Sequence, residues 1–288
     1  VHHLLYLDVL YRWFPVCVEL GCQSYPERIM TDSTRLQPTA PDCNQLHPTA
    51  ADSTRLQPTA PDCSRLHPTA TNCSRLHPTP PDCNQLHPTA ADSTRLQPTP
   101  PDCSRLHPTA TNCSRLHPTA TNCTRLQPTP PDCSRLHPTA ADSTRLQPTA
   151  ADSTRLQPTA PDSNSTRLQP TATNCSQLHP TATNCTRQQP TPPDCTQLHL
   201  TAADSTRLQP TPPDCSRLHP TAADSTRLQP TAPDCNQLHP TAPSSTRLQP
   251  TVPNSTLLHP APSDSSSTRL QPAPLDRNQL HLVIFIPR

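Results

Sequence analysis

The chain has 288 residues, of which 44 are proline and one is glycine, and its 22 basic residues are all arginine. Aromatic residues make up 2% of the chain, which excludes the aromatic-rich core of an ordinary globular domain of this length. The single glycine excludes Gly-rich phosphate-binding loops and collagen. Because 21 acidic residues leave a formal net charge of +1, no net field attracts nucleic acid or a membrane surface.

Residues 1–30 form a segment of unique sequence before the repeats. It contains the only Trp and all three Tyr of the chain. Asp8, Arg12 and Glu19 interrupt its apolar residues, so we predict neither a secretory signal nor a membrane span here. The only methionine is Met30, and the sequence is therefore interpreted either as a fragment or as a reading frame that starts at Met30.

Residues 31–274 are a tract of tandem decapeptides. Each unit reads Pro/Ala/Thr, Asp/Asn, Cys/Ser, Ser/Thr/Asn, Arg/Gln, Leu, Gln/His, Pro, Thr and Ala/Pro, and we number these positions 1 to 10. The units at 161–172 and 263–274 are each two residues longer than the others. Residues 275–288 contain a degenerate last repeat and an apolar tail. The chain is thus divided into a unique segment, a repeat tract and a tail.

The repeat unit predicts little regular structure on its own. Leucine is its only large apolar side chain, and the proline at position 8 prevents a helix from continuing across units. Burying one leucine contributes about 2–3 kcal/mol, whereas ordering the backbone costs about 1–2 kcal/mol for each residue. We therefore predict a mostly disordered, low-complexity decapeptide repeat biased towards polyproline II.

The alternative fold is a thin β-solenoid, in which stacked units bury a ladder of leucines. Three features of the sequence argue against it. Gln188 occupies the leucine position of its unit, glycine is absent from the corners, and Asp and Arg recur in almost every unit.

The residue choices match a ten-base DNA word, ACTGCAnnnn, read through all three frames. Such a word encodes Thr-Ala, Asp or Asn before Cys, and Leu followed by His or Gln, which are the residues of the unit. We therefore predict that the tract is translated from a minisatellite-like repeat. The function predicted on this basis is a non-enzymatic, low-complexity repeat protein without a specific activity.

Cysteine and histidine recur at a spacing that suits zinc. Cys63/His67 and Cys73/His77 are examples of Cys-x₃-His, and two such pairs would supply four ligands. The DNA word explains this coupling equally well, and the sequence holds no compact set of ligands. We therefore predict no metal and no cofactor. Asp, Ser and His are abundant, but no rigid element brings them into catalytic geometry, and no catalytic residues are assigned.

The Pro/Thr/Ser-rich tandem layout resembles that of mucin-like proteins. This resemblance implies a secreted, glycosylated structural protein as an alternative function. The candidate N-glycosylation residues, in the secreted case, are Asn72, Asn112, Asn122, Asn164, Asn174, Asn184 and Asn254.

A second alternative is a multivalent scaffold for proline-motif domains. The string Pro-Thr-Ala-Pro is similar to the late-domain motif that recruits a ubiquitin-E2-variant domain, and Arg-x-x-Pro-x-x-Pro is similar to an SH3 ligand. The candidate residues are Arg35, Pro38, Thr39, Ala40 and Pro41, and two units later Arg55, Pro58, Thr59, Ala60 and Pro61. Nucleic acid is not expected as a partner, because an Asp usually lies three residues before each Arg and no aromatic residues interleave.

Overall fold

The computed structural model describes residues 28–30, 33–37, 43–60, 63–161, 165–241, 244–249, 251 and 257–258. These residues form a parallel β-solenoid of about nine turns. None of these residues forms an α-helix. The described part of the chain therefore contains no helix that is long and apolar enough to cross a bilayer. The tail 275–288 and most of the unique segment lie outside the described residues.

The strands are short and are numbered in chain order. The first twelve are β1 (Arg28–Met30), β2 (Ser33–Leu36), β3 (Cys43–Leu46), β4 (Pro48–Leu56), β5 (Cys63–Leu66), β6 (Thr69–Leu76), β7 (Asp82–Leu86), β8 (Thr89–Leu96), β9 (Asp102–Leu106), β10 (Thr109–Leu116), β11 (Thr119–Leu126) and β12 (Asp132–Leu136). The others are β13 (Thr139–Leu146), β14 (Thr149–Leu156), β15 (Thr159–Ala160), β16 (Ser165–Leu168), β17 (Thr171–Leu178), β18 (Thr181–Gln188), β19 (Asp194–Leu208), β20 (Asp214–Leu228), β21 (Asp234–Leu238), β22 (Ser244–Leu248) and β23 (Leu257–Leu258).

One coil of the solenoid comprises two decapeptides. Leu56 pairs with Leu76 and Leu66 pairs with Leu86, so each strand lies in parallel register with the strand two units further along. Across the lengthened unit at 161–172 the same register is kept. Successive units therefore lie on opposite sides of the coil. We call the side that contains β4, β6, β8 and β10 the first face, and the side that contains β5, β7, β9 and β11 the second face.

Four positions of each unit point into the solenoid. In the unit around β10, the side chains of Ala110, Cys113 and Leu116 are buried, and Pro118 follows them in the interior. These are positions 10, 3, 6 and 8 of the repeat. The charged and hydroxyl-bearing positions 2, 4, 5 and 9 point outwards, which is how the recurring Asp and Arg are accommodated.

The buried apolar side chains form two clusters. One contains the first-face leucines from Leu56 to Leu238, and the other contains the second-face leucines from Leu66 to Leu168. Near the end of the solenoid, second-face leucines such as Leu208 join the first cluster. This is the region in which Leu200 replaces the usual proline and adds a buried apolar side chain.

Proline sets where most strands end without breaking the ladder. It lacks a donor, and most strands stop at position 6, before the proline at position 8. The proline carbonyl still accepts a hydrogen bond from the next coil: Thr79 N–H donates to Pro58 O at 3.1 Å, and Thr119 N–H donates to Pro98 O at 2.9 Å. Position 7 donates similarly, as His77 N–H does to Leu56 O at 2.9 Å.

The structure does not support the prediction of a mostly disordered, polyproline II-biased chain. It supports the alternative prediction, a thin β-solenoid. In a single isolated unit, the burial of one leucine is the only large favourable contribution. Stacking buries four side chains of each unit and gives the backbone hydrogen-bond partners in both neighbouring coils. Polyproline II has no such partners, so the stacked strands are favoured once many coils are present.

The ladder includes the end of the unique segment. Arg28–Met30 pairs in parallel with residues Pro48 to Ala50. Strand pairing among the described residues therefore includes a few residues that precede the repeat pattern.

Candidate functional site

A groove runs along each face, where positions 2 and 4 flank the inward side chain of position 3. The groove of the first face extends from Asp52 to Asn236 and has a volume of about 1650 Å³. The groove of the second face extends from Cys63 to Thr144 and has a volume of about 710 Å³. In most coils one rim is Asp or Asn, the other rim is Ser or Thr, and the floor is Cys or Ser.

The Asp/Asn rim is held together by bonds between coils. In these bonds an Asn Nδ2 donates to the Asp Oδ1 of the preceding coil: Asn72 to Asp52 at 2.8 Å, Asn112 to Asp92 at 2.9 Å, Asn122 to Asp102 at 2.6 Å and Asn174 to Asp152 at 2.7 Å. Where Asp follows Asp, like charges face each other. Loss of solvation, together with repulsion from Asp234 and Asp194, raises the pKa of the Asp214 carboxyl.

Buried thiols form the floor of both grooves. The Sγ atoms of Cys113 and Cys133, one coil apart, lie 3.0 Å from each other. The thiolate of Cys133 is stabilised by the Cys113 thiol, so the pKa of Cys133 is lowered and that of Cys113 is raised. Burial raises the pKa of the Cys185 thiol, whose Sγ donates to Arg187 O at 3.2 Å. The floor is therefore a row of buried thiols interrupted by serines such as Ser93 and Ser143.

Position 7 forms two kinds of column. On the second face, Gln127 begins an amide ladder in which each Nε2 donates to the Oε1 of the next coil at 2.7–3.0 Å, as far as Gln249. Elsewhere the position is often histidine, and neighbouring rings stack with centroids 4.6–5.0 Å apart. Burial, followed by the neighbouring His87 and His47, lowers the pKa of His67 to about 4.

A third groove lies between positions 7 and 9 of the second face. It has a volume of about 480 Å³ and runs from His107 to Thr211. From Gln127 onwards its walls are the glutamine column on one side and a column of threonines on the other. It offers amides and hydroxyls at the spacing of the coils.

The proline motif lies largely in the interior. Pro58 and Ala60 are buried, while Thr59 and Arg55 are half-buried. The same string beginning at Pro158, Pro230 and Pro240 also starts with a buried proline. Arg35 is exposed, and residues 38–41 and 61 lie outside the described residues. A domain that grips Pro58 and Ala60 would therefore first have to open the coil.

The predicted glycosylation residues lie on the outside of the solenoid. The exposed asparagines are Asn72, Asn112, Asn122, Asn174 and Asn184. Asn164 and Asn254 lie outside the described residues. The amide nitrogens of the first four exposed residues are occupied by the rim bonds to Asp described above.

The Cys-x₃-His pairs do not converge. Cys63 and Cys73 are buried in the floor of the grooves, whereas His67 and His77 lie four residues on, in the half-buried outer column of position 7. Within the described part of the chain, no three His, Cys, Asp or Glu side chains are grouped so that they could hold a metal ion. Along the columns, cysteines lie beside cysteines and histidines lie beside histidines, and the two residue types do not converge.

A ten-residue period does not predict these columns, because successive units lie on opposite faces. The columns can be recognised in the sequence by comparing position 7 of every second unit, which is Gln in each such unit from Gln127 to Gln249. No protein family matches the chain, and no curated protein or solved structure is significantly similar to it. The repeat architecture therefore identifies the chain only as a tandem-repeat protein.

Proposed function

We propose that the chain is a non-enzymatic, structural repeat protein, a β-solenoid rod whose outer columns offer many equivalent contacts instead of one site. The observation that supports this proposal is the repetition of each side-chain type along both faces. An active site requires different groups to converge on one reacting atom. Here the thiols bond to carbonyls or to other thiols, and the imidazoles stack on imidazoles.

Expansion of a DNA repeat is a simple origin for such a rod. Every two added units would complete one further coil, with the same inward and outward positions. The repeat origin and the structural role therefore support each other, since growth by copying requires no selected catalytic residues.

A pair of deletions tests whether coils are interchangeable. Residues 201–210 and 221–230 are identical in sequence, so deleting 201–220 removes one coil and joins Leu200 to an identical unit. We expect this two-unit deletion to keep its β circular dichroism spectrum and cooperative urea unfolding, with a particle shorter by about 5 Å in small-angle scattering.

The matched control deletes only residues 201–210. Every later unit then moves to the opposite face, so that His219 follows Gln189 and the amide ladder is broken. We expect this control to unfold at a lower urea concentration than the two-unit deletion. Equal midpoints, or loss of the β spectrum in the two-unit deletion, would contradict the proposal.

A glycosylated stalk is the second candidate, supported by the exposure of five sequon asparagines. Expression through the secretory pathway of a eukaryotic host, followed by N-glycosidase treatment, tests it. A mass decrease that becomes smaller in Asn112→Gln and Asn184→Gln variants supports the stalk, and an unglycosylated secreted rod argues against it. The proline-motif scaffold has less support, because its first Pro and its Ala are buried.

A further inference from the structure

An unbroken row of arginines follows the second face. Seven consecutive pairings join eight arginines from Arg105 to Arg247, each in register with the next. Strands in a sheet lie about 4.8 Å apart, so the row places one positive charge at each such step. Like charges directly opposite each other destabilise a sheet unless something else compensates them.

The acidic residues of the same units lie in a separate column from this row. Position 2 is Asp in only some units of this face, such as Asp102, Asp142 and Asp204, and it lies three residues before Arg, at most about 10 Å along the extended chain. The formal net charge of +1 thus conceals a separation of positive and negative columns.

The columns beside the arginines carry hydroxyls and amides. Position 4, just before the arginine, is an exposed threonine at Thr124, Thr144 and Thr186. Position 7, two residues after it, is the glutamine ladder that forms one wall of the 480 Å³ groove. The surface is therefore a straight strip of hydroxyls, guanidinium groups and amides, repeated coil by coil.

We propose that this strip binds a linear acidic polysaccharide, sulfated or carboxylated, laid parallel to the solenoid axis. The anionic groups would meet the arginines, and the sugar hydroxyls would bond to threonine and glutamine. One pyranose residue advances an extended glycan by roughly the spacing between neighbouring strands, so the contacts stay in step. This inference rests on the proposed function, since the row exists only while the coils are stacked.

Nucleic acid fits the strip less well. Single strands are held largely by stacking of their bases on aromatic side chains. All six Phe, Tyr and Trp residues of the chain lie outside residues 28–258, and from Gln127 to Gln249 no histidine interrupts position 7 of this face. The threonine, arginine and glutamine side chains of the strip can bind anionic and hydroxyl groups, but they provide no aromatic surface on which bases stack.

The chain contains its own charge-matched control. Arg65 lies between Gln45 and Gln85 in its column, and Arg217 lies between Gln197 and Gln237, so both are isolated. The variant Arg187→Gln/Arg207→Gln interrupts the row, whereas Arg65→Gln/Arg217→Gln removes the same charge without touching it.

Heparin is the probe, with the full-length chain titrated at several salt concentrations. We expect the row variant to bind at least about tenfold more weakly, with a salt dependence that is shallower by roughly one to two contacts. The control Arg65→Gln/Arg217→Gln should bind like the parent. Equal losses in a control, no binding by the parent, or tighter binding of single-stranded DNA of matched charge would overturn the inference. Circular dichroism separates the two proposals, because a parent with a β spectrum that does not bind heparin contradicts only this one.

Discussion

Gln188 is a polar residue in the middle of the apolar interior. It pairs with Leu168 in one neighbouring coil and Leu208 in the other, and its side chain is 0% exposed. Its Nε2 donates to Pro180 O at 3.3 Å, but its Oε1 has no hydrogen-bond partner. A buried acceptor without a partner costs about 1–3 kcal/mol. The solenoid tolerates this cost because the neighbouring coils hold the residue in register.

We expect Gln188→Leu to stabilise the fold by about 1–3 kcal/mol, because it removes the unpaired acceptor and restores the leucine column. Urea unfolding followed by circular dichroism measures the change. The control is Gln209→Leu, which breaks amide bonds of 3.0 Å to Gln189 and 2.8 Å to Gln229 and should not stabilise. A Gln188→Leu variant no more stable than its parent would show that the site is already satisfied.

In the column of stacked histidines, protonation of the imidazole rings is coupled to the stability of the fold. His117 and His137 stack with centroids 4.7 Å apart, and the Nε2 atoms of both are buried without a partner. Burial, then His117 and neighbouring arginines, lowers the pKa of His137 to about 4. Protonating one ring places a charge against its neighbours, so the folded column favours neutral imidazole.

We expect the solenoid to lose stability as the pH falls. The histidines whose pKa is lowered are His67, His77, His87, His107, His117, His137, His179, His199 and His219. An unfolded histidine protonates near pH 6.5, so below that pH the unfolded chain binds more protons than the folded one. The stability is fully present above about pH 7 and falls progressively through about pH 4, as urea midpoints at each pH should show.

The variant His117→Gln/His137→Gln is the control for this effect, because glutamine occupies the same position in Gln97 and Gln157 of that column. Its urea midpoint should change less between pH 7 and pH 4.5 than that of the parent. The raised pKa of Asp214 acts in the opposite direction at lower pH. A parent midpoint that does not change over this range would contradict the assignment of the histidine column as the acid-sensitive element.

At the scale of the whole molecule, stability comes from contacts between coils. Each unit makes its ladder of backbone bonds with the units one coil before and one coil after it, and none of its strands pairs with the adjacent unit among the described residues. An isolated decapeptide lacks these contacts, so its free-energy balance does not predict the stability of the stacked chain. The absence of glycine from the corners does not disfavour the solenoid either, because the described turns form at proline and at outward-facing pairs of polar residues.

Thiol accessibility should distinguish the stacked chain from a disordered one. The structure buries twelve cysteines as thiols without disulfides, from Cys63 to Cys235. We expect these thiols to react with Ellman's reagent only after unfolding in urea, and in step with loss of the β spectrum, because the reagent cannot reach buried sulfur atoms. Immediate reaction of all cysteines in native buffer would contradict the solenoid.

The sequence by itself determined the repeat unit, the absence of long helices, the regular proline that ends most strands, and the one polar exception at Gln188. Those properties are local, since they depend on residue type and spacing within a single unit. Only the tertiary structure decided that a coil takes two units, that alternate units form separate faces, and that eight arginines align into one row. The reason is that parallel pairing joins residues two units apart, and its free energy exists only when several coils are stacked.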